Sequence, residues 1–158
     1  MAKKNSLRVG AGERYAIEVN DRGETIEFDL SDLSLAVRMN EAYGALLKAQ
    51  RDLARDRAAA RELPEEQEVD SMFSARTLAE IEAQKKFYAA GRAALDLFLG
   101  DGACRKIFGD ANRPTMFEEL MEALSPHVEK MGLRMADYAK RIAEKYGKRE
   151  DGEDVLEA

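Results

Sequence analysis

Hydrophobic and polar residues alternate over positions 13–30, and this period of two is typical of strands with one buried face. Two segments each place their apolar residues on one face: Tyr15, Ile17 and Val19 in the first, and Ile26, Phe28 and Leu30 in the second. Between them lies the run Asn20-Asp-Arg-Gly23, whose residue types favour a turn. The pattern predicts a β-hairpin over 13–30, whose apolar face must pack on helices or pair with an edge of another chain.

The period changes to three and four from Ser31 onward, which indicates a helix that Ser31 or Asp32 can cap and that ends near residue 62. The inner face predicted for this helix consists of Leu33, Ala36, Tyr43, Leu46, Leu47 and Leu53. Over residues 51–62 the helix is rich in Arg, Asp and Ala, and its apolar face fades. This end is interpreted either as a solvated helix end or as a projection from the body.

A loop is predicted at 63–70, because Pro64 disfavours a helical residue before it and the acidic residues that follow favour water. The next helix has Thr77-Leu-Ala-Glu80 as its predicted capping box. Its predicted inner face consists of Leu78, Ile81, Tyr88, Gly91, Leu95 and Phe98. A glycine on that face, Gly91, indicates a close contact between helices.

Glycines punctuate the next segment, where Gly100 and Gly109 suit left-handed helix ends and Asp101 suits the start of a short helix between them. Thr115-Met-Phe-Glu118 forms another capping box. The inner face predicted for the helix that follows consists of Phe117, Leu120, Met121 and Leu124. Ser125-Pro126 is expected to kink the helix that follows or to restart it. The last helix is predicted at about 133–147, with Met135, Tyr138, Ala139, Ile142 and Tyr146 on one side.

The elements together predict a mainly α (α+β) fold, with an N-terminal β-hairpin followed by about five helices. A flexible N-terminus is expected over 1–12, then a single domain over 13–147, divided into the hairpin at 13–30 and a helical part at 31–147. Residues 148–158 are acidic and poor in apolar side chains, so a disordered tail is expected there. A chain of 158 residues suits one domain with a sizeable core.

Charge and composition narrow the classes of partner. The formal net charge is −6, from 25 Lys and Arg against 31 Asp and Glu, which disfavours nucleic acid as a partner. No run approaches the roughly 20 apolar residues that span a bilayer, and the basic start lacks the apolar region of a signal peptide. Together with a single cysteine, which forms no internal disulfide, these features predict a cytoplasmic protein without membrane contact.

Residues with catalytic chemistry are sparse. His127 is the only histidine, so a histidine-based dyad or metal site has one candidate member, and a structural or exposed role is expected for it. Cys104 lies near a helix start beside Arg105, where a thiolate would be favoured, but with no base in its sequence context it is interpreted as a buried structural thiol. We predict no catalytic, cofactor-binding or metal site and hence no enzyme.

One enzymatic pattern is present, Glu118-Glu119-x-x-Glu122, in which carboxylates three and four residues apart share a helix face and are suited to magnesium. It looks like the first half of the motif in all-helical nucleotide pyrophosphatases of the MazG type. Those enzymes also need a Glu-x-x-Asp tetrad on a later helix, and no such tetrad follows residue 122. The glutamates are therefore interpreted as the outer face of an amphipathic helix.

Aromatic and methionine residues concentrate around the predicted helix ends: Phe98, Phe108 and Phe117, with Met116 and Met121. Such residues adapt to many apolar targets, so they are suited to a groove for a partner helix. The alternative is that they form the protein's own core, with one or two of them exposed.

A family resemblance rests on two segments, Leu95-Asp-Leu-Phe-Leu-Gly-Asp-Gly-Ala-Cys-Arg-Lys-Ile-Phe-Gly-Asp110 and Phe117-Glu-Glu-Leu-Met-Glu-Ala-Leu124, and on the short strand that runs straight into a helix after residue 30. In layout and motifs the chain from 24 to 124 resembles small proteins of tailed bacteriophages and prophages in the tail assembly chaperone group. The resemblance implies a non-enzymatic protein of the host bacterial cytoplasm.

The partners implied by this resemblance are the tape measure protein, which such chaperones coat and keep soluble, and the tail tube protein, whose subunits they recruit. Phe98, Ile107, Phe108 and Phe117 are the partner-binding residues that the resemblance points to, and a homo-oligomer is compatible with it. No cofactor is implied. The alternative function is a virion structural protein, such as a head-tail connector or a tail completion protein, which would persist in the finished particle.

Overall fold

The computed structural model describes residues 5–10, 12–67 and 69–157, with the backbone alone at 138, 142 and 146–157. Over these residues the chain forms a two-stranded antiparallel sheet and four helices. The elements, in chain order, are β1 (Arg14–Glu18), β2 (Thr25–Asp29), α1 (Ser34–Arg61), α2 (Ala75–Leu99), α3 (Ala103–Phe108) and α4 (Met116–Glu157). The expected mainly helical fold with an N-terminal hairpin is confirmed.

The hairpin pairs Tyr15 with Phe28 and Ile17 with Ile26, so the apolar side chains of both strands lie on the same face, as the alternation predicts. Asn20 begins the turn, and its side-chain oxygen accepts hydrogen bonds from two backbone N–H groups of the turn. Its side-chain nitrogen donates to the carbonyl of Lys106 at 3.0 Å. The turn is thereby held against α3.

The main core lies where the hairpin meets the start of α1, the C-terminal half of α2, α3 and the first half of α4. Its buried members are Ile26, Phe28, Leu30, Leu35, Ala42, Leu95, Phe98, Leu99, Ala103, Cys104, Leu120, Leu124 and Met131. The hairpin therefore packs on helices, the first of the two arrangements expected for its apolar face.

The long helices α1 and α2 run side by side beyond this core, and we call residues 49–87 the arm. The buried apolar residues described in the arm are all alanines, Ala49, Ala60 and Ala83. Small side chains let two helices approach closely, and an ion pair between Asp56 and Lys86 joins them at 3.2 Å. The end of α1, interpreted from its sequence as solvated or projecting, lies beyond the core with most of its residues exposed, and one side of it packs along α2.

The inner face of α1 differs from the expected one. Leu33 and Tyr43 are exposed, and the buried positions of the helix are Leu35, Ala42, Ala49 and Ala60. The larger apolar residues favour the wrong face when the pattern is read alone, because close packing on α2 selects small side chains. The helix begins at Ser34, and Asp32 accepts a hydrogen bond from the Ser34 N–H at 2.9 Å.

Pro126 does not divide the last helix, so the described chain has four helices instead of about five. Proline removes one backbone hydrogen bond within the helix. Leu124 before it and Met131 after it both belong to the core, so tertiary packing supports the helix on both sides of the proline. The merged helix α4 of 42 residues spans about 63 Å.

Two predicted helix caps are also replaced. The helix α2 begins at Ala75, two residues before the expected capping box, because the side chain of Ser74 accepts a hydrogen bond from the Thr77 N–H. The short helix α3 is capped by Asp96, which accepts from the Cys104 N–H at 2.9 Å, and not by Asp101. Thr115 precedes α4 with φ 64°, and its hydroxyl bonds the carboxylate of Glu119.

The terminal predictions fall partly outside the described residues. Of the N-terminal segment 1–12, residues 1–4 and 11 are not described, and 5–10 form neither helix nor strand. At the other end the backbone of α4 continues to Glu157, past Gly147, where the last helix was expected to end. The disordered tail at 148–158 stays a prediction, since the side chains there and all of residue 158 lie outside the description.

Candidate functional site

Phe98, the first of the four residues assigned to partner binding, lies in the core. Its ring stacks on Phe28 with 5.2 Å between centroids, and 8% of the residue is exposed. Its role in the described fold is to fasten the hairpin to α2. Ile107 and Phe108 on α3 are half-buried and pack against the same core.

Phe117 is the member of the set that reaches a surface groove. Its ring lies directly on the backbone of α2, because a Cβ added at Gly91 would be 2.6 Å from the ring. The close contact predicted at Gly91 is therefore confirmed, and its partner is Phe117. The rings of Phe87, Tyr88 and Phe108 surround Phe117 at centroid distances of 5.5 to 5.8 Å.

Arg92 positions the loop that leads to Phe117. Its guanidinium donates hydrogen bonds of 2.9 Å to the carbonyls of Gly109 and Ala111 and to the side-chain oxygen of Asn112. The same guanidinium lies 5.6 Å from the centroid of the Phe108 ring, within the range of a cation–π contact. One side chain of α2 thus fixes the segment between α3 and α4, and with it the start of α4.

The groove lies between α1, α2 and the start of α4 and has a volume of about 460 Å³. The residues that line it are Tyr43, Leu46, Leu47, Gln50, Phe87, Leu95, Phe117, Glu118, Met121 and Glu122. Three of the apolar ones are well exposed, Tyr43 at 63%, Met121 at 51% and Leu47 at 38%. The groove is therefore an apolar surface in contact with solvent, with two glutamates on its α4 side.

Tyr43 and Leu47 are groove residues that the sequence analysis placed in the core. The sequence feature that relates Tyr43 to Leu47 is their spacing of four residues on α1, which puts both on one face of the helix. That face was assigned to the core because the rest of the groove lies in α2 and α4, far away in sequence. Met121 is expected from the sequence both on the inner face of its helix and among the groove candidates, and the structure leaves it half-exposed in the groove.

A second, smaller cavity of about 230 Å³ lies between the hairpin, α3 and α4, and Ile107 is among the residues that line it. His127 lines the same cavity, and its Nδ1 lies 2.6 Å from the Tyr15 hydroxyl oxygen, within a hydrogen bond. The two rings also meet edge to face with 5.7 Å between centroids. The single histidine therefore ties the hairpin to α4, a structural role.

Cys104 is buried, with 1% of the residue exposed. Burial, together with the neighbouring Asp96 carboxylate, raises the pKa of the Cys104 thiol to about 12. A thiol with this pKa stays protonated at neutral pH, and the thiolate is the nucleophilic form. The structural interpretation of Cys104 is thus supported by its surroundings.

Neither a metal site nor a membrane-spanning helix is found among the described residues. Within the part of the chain that the structure describes, no three His, Cys, Asp or Glu side chains lie together so that they could hold a metal ion. None of the helices is long and apolar enough, over the described residues, to cross a membrane. Glu118, Glu119 and Glu122 are exposed on α4.

No family model, curated protein or solved structure matches the chain. The groove is the feature of the described surface on which a functional proposal can be based.

Proposed function

We propose that this protein is a non-enzymatic tail assembly chaperone of a tailed bacteriophage, which binds the tape measure protein and recruits tail tube subunits in the host bacterial cytoplasm. The observation that carries the proposal is the open apolar groove formed by Tyr43, Leu47, Phe117 and Met121. It supports a binding role, because grooves of this kind take the apolar face of an amphipathic helix.

The chemistry of the proposed partner fits such a groove. A tape measure protein is a long helical chain with apolar stripes, so it needs covering until the tube forms around it. An acidic surface on the covering protein keeps the complex in solution, and the net charge of −6 supplies it. Many copies along one chain would strengthen binding through multivalency, and a homo-oligomer is part of the proposal.

Co-expression with the tape measure protein of the same phage tests this function. We expect a soluble complex that contains several copies of the chaperone, measured by affinity capture and mass determination. Absence of any complex, with the protein found instead in purified particles, would favour the alternative of a virion structural protein.

Two variants of α4 decide whether the groove is the binding surface. Met121→Asp places a charge on the groove wall, and it is expected to lower affinity for the tape measure protein at least about tenfold, because a desolvated carboxylate is costly. Leu133→Asp is the matched control, since Leu133 is 65% exposed on the same helix and does not line the groove. Equal binding by the two variants would place the tape measure protein elsewhere on the surface.

A further inference from the structure

We propose that the groove selects an amphipathic helix whose apolar face is bordered on one side by Lys or Arg residues. The inference rests on the proposed function in so far as it describes the segment of a partner that the groove receives. It adds two properties that the apolar lining alone does not give. The first, called the charge rule below, is a preference for basic residues along one side of the partner helix, and the second is a preferred orientation of that helix in the groove.

The charge rule comes from Glu118 and Glu122, which lie four residues apart on the α4 wall of the groove. Neither forms an ion pair with any described residue, so both carboxylates are available to cations of a partner. Like charges at this spacing destabilise a helix by about 0.2 to 0.5 kcal/mol. Cations on a bound partner would relieve this repulsion and pair with both carboxylates.

The opposite wall of the groove is neutral. On α1 it presents the Tyr43 ring, Leu47 and the Gln50 amide. A helix with basic residues on one flank therefore has a preferred placement, with that flank toward α4 and its uncharged flank toward α1. The groove thus distinguishes the two sides of a partner helix as well as its apolar face.

The length of the groove sets how much helix it holds. Tyr43 and Gln50 mark its extent on α1, and seven helical steps between them span about 10 Å. Two turns of a partner helix match this length, with apolar anchors at positions i, i+4 and i+7. Two basic residues, spaced by three or four along the flank, would face Glu118 and Glu122 at the same time.

The two glutamates are not equivalent. Glu118 lies in the first turn of α4, where the positive end of the helix dipole offsets part of its charge. Glu122 lies one turn further along and is affected less, because the dipole effect falls off within the first turn. Glu122 should therefore contribute more than Glu118 to the attraction of a cationic partner.

Two designed peptides of about 18 residues, long enough to form a helix, test the inference. Both carry the same Leu and Ala face, one with Lys along one flank and the other with Glu at those positions. Fluorescence anisotropy with the full chain measures their affinities at about 0.05 M and 0.5 M salt. We expect the Lys peptide to bind about tenfold more tightly at low salt and the advantage to shrink at high salt.

Variants of Glu118 and Glu122 test whether the α4 wall of the groove causes the preference for the Lys peptide. Glu118→Gln with Glu122→Gln should remove most of the preference for the Lys peptide, and Glu122→Gln alone should remove more than Glu118→Gln alone. Glu119→Gln is the matched control, because Glu119 is exposed on the same turn of α4 and does not line the groove. The control variant should keep the preference of the unmodified protein.

The outcomes separate this inference from the proposed function. Equal affinity for both peptides, or a preference that survives the double variant, overturns the charge rule even if the tape measure complex forms. The expected preference without a tape measure complex supports the charge rule and overturns the proposed identity of the partner. Failure of the Lys peptide to bind also overturns the inference.

Discussion

The hairpin end of the molecule, which contains the main core, buries large side chains such as Phe28, Phe98 and Met131. In the arm, the apolar residues described as buried are Ala49, Ala60 and Ala83. Large side chains at the hairpin end remove much apolar surface from water, which is the main source of stability. Alanines in the arm remove little apolar surface from water, but they let α1 and α2 approach closely. The groove lies next to the point where alanine contacts give way to the larger Leu46 and Phe87.

This difference indicates that one end of the molecule, the hairpin with the core around it, provides stability, whereas the arm exposes apolar side chains to solvent. The loop at the tip of the arm exposes Val69 at 92% and Met72 at 81%, although hydrogen bonds from Gln67 and Arg76 fix its backbone. The hairpin end must therefore supply most of the free energy that keeps the fold together.

Truncation at the hairpin end should have the largest effect. Phe98→Ala removes a buried ring that stacks on Phe28, and such changes lower the free energy of unfolding by about 3 to 5 kcal/mol. Urea unfolding followed by circular dichroism measures the loss. Leu97→Ala, at a neighbouring position that is 45% exposed, is the control and should cost much less. Similar losses for the two variants would mean that the hairpin end is not the main core.

Enlargement in the arm should be the next most damaging change. Ala83→Leu inserts three carbon atoms where α2 meets α1, and overpacking of this kind costs about 1 to 3 kcal/mol. Glu80→Leu, on an exposed position of the same helix, should change the free energy of unfolding by less than about 0.5 kcal/mol. If Ala83→Leu were neutral, the two helices would have to be less closely packed than the alanines indicate.

The same contrast explains which elements could be predicted from the sequence. The hairpin is predictable because its alternation is local and both strands bury one face. The face of α1 is not, because the burial of Ala42 and Ala49 depends on α2, and no pattern within α1 records that neighbour. Pro126 is a local helix breaker whose effect is overridden by packing of Leu124 and Met131 in the core.

The residues of the groove also differ in how far they could be predicted from the sequence. The density of aromatic and methionine residues near a helix start leaves Phe117 and Met121 open between a groove and the core, whereas the spacing within α1 predicts a core position for Tyr43 and Leu47 on the other wall. Both walls become recognisable only when α1 is placed beside α4, since residues about 70 positions apart then line one groove. Asp96, which caps α3 from the preceding helix, was missed because Asp101 is a nearer candidate in sequence.

Burial at the hairpin end can be tested through the pKa of Cys104. The thiol has a pKa of about 12 when folded, above the ordinary value of 9.0, so the folded protein binds its proton more tightly than the unfolded chain does. Its contribution to stability is complete below pH 9 and is lost as the pH rises from about 9 to 12, by at most about 1.4 kcal/mol for each pH unit.

Cys104→Ala provides the comparison for that measurement. Urea unfolding at several alkaline pH values should give a steeper fall in stability for the unmodified protein than for the variant. Equal slopes for the two proteins would show that the thiol has a similar pKa in both states and that this part of the core is accessible to water.

The bond between Tyr15 and His127 should have a smaller effect. Tyr15→Phe removes the hydroxyl that lies 2.6 Å from Nδ1 of the histidine, and loss of one such bond costs about 0.5 to 1.5 kcal/mol. Tyr43→Phe is the control, because no hydrogen bond of its hydroxyl is found among the described residues. If the two variants were equally stable, the hairpin would be held to α4 by apolar packing alone.

The ion pair in the arm should contribute least. The Nζ atom of Lys86 lies 3.2 Å from Oδ2 of Asp56, but the Lys86 side chain is 58% exposed. Water and salt therefore screen the attraction between the two charges. A double-mutant cycle of Lys86→Ala and Asp56→Ala should give a coupling of about 0.2 to 0.5 kcal/mol that decreases in high salt. A coupling above about 1 kcal/mol would mean that charge, and not close alanine packing, aligns the helices of the arm. The contrast between the two ends would then be one between apolar burial and ion pairing.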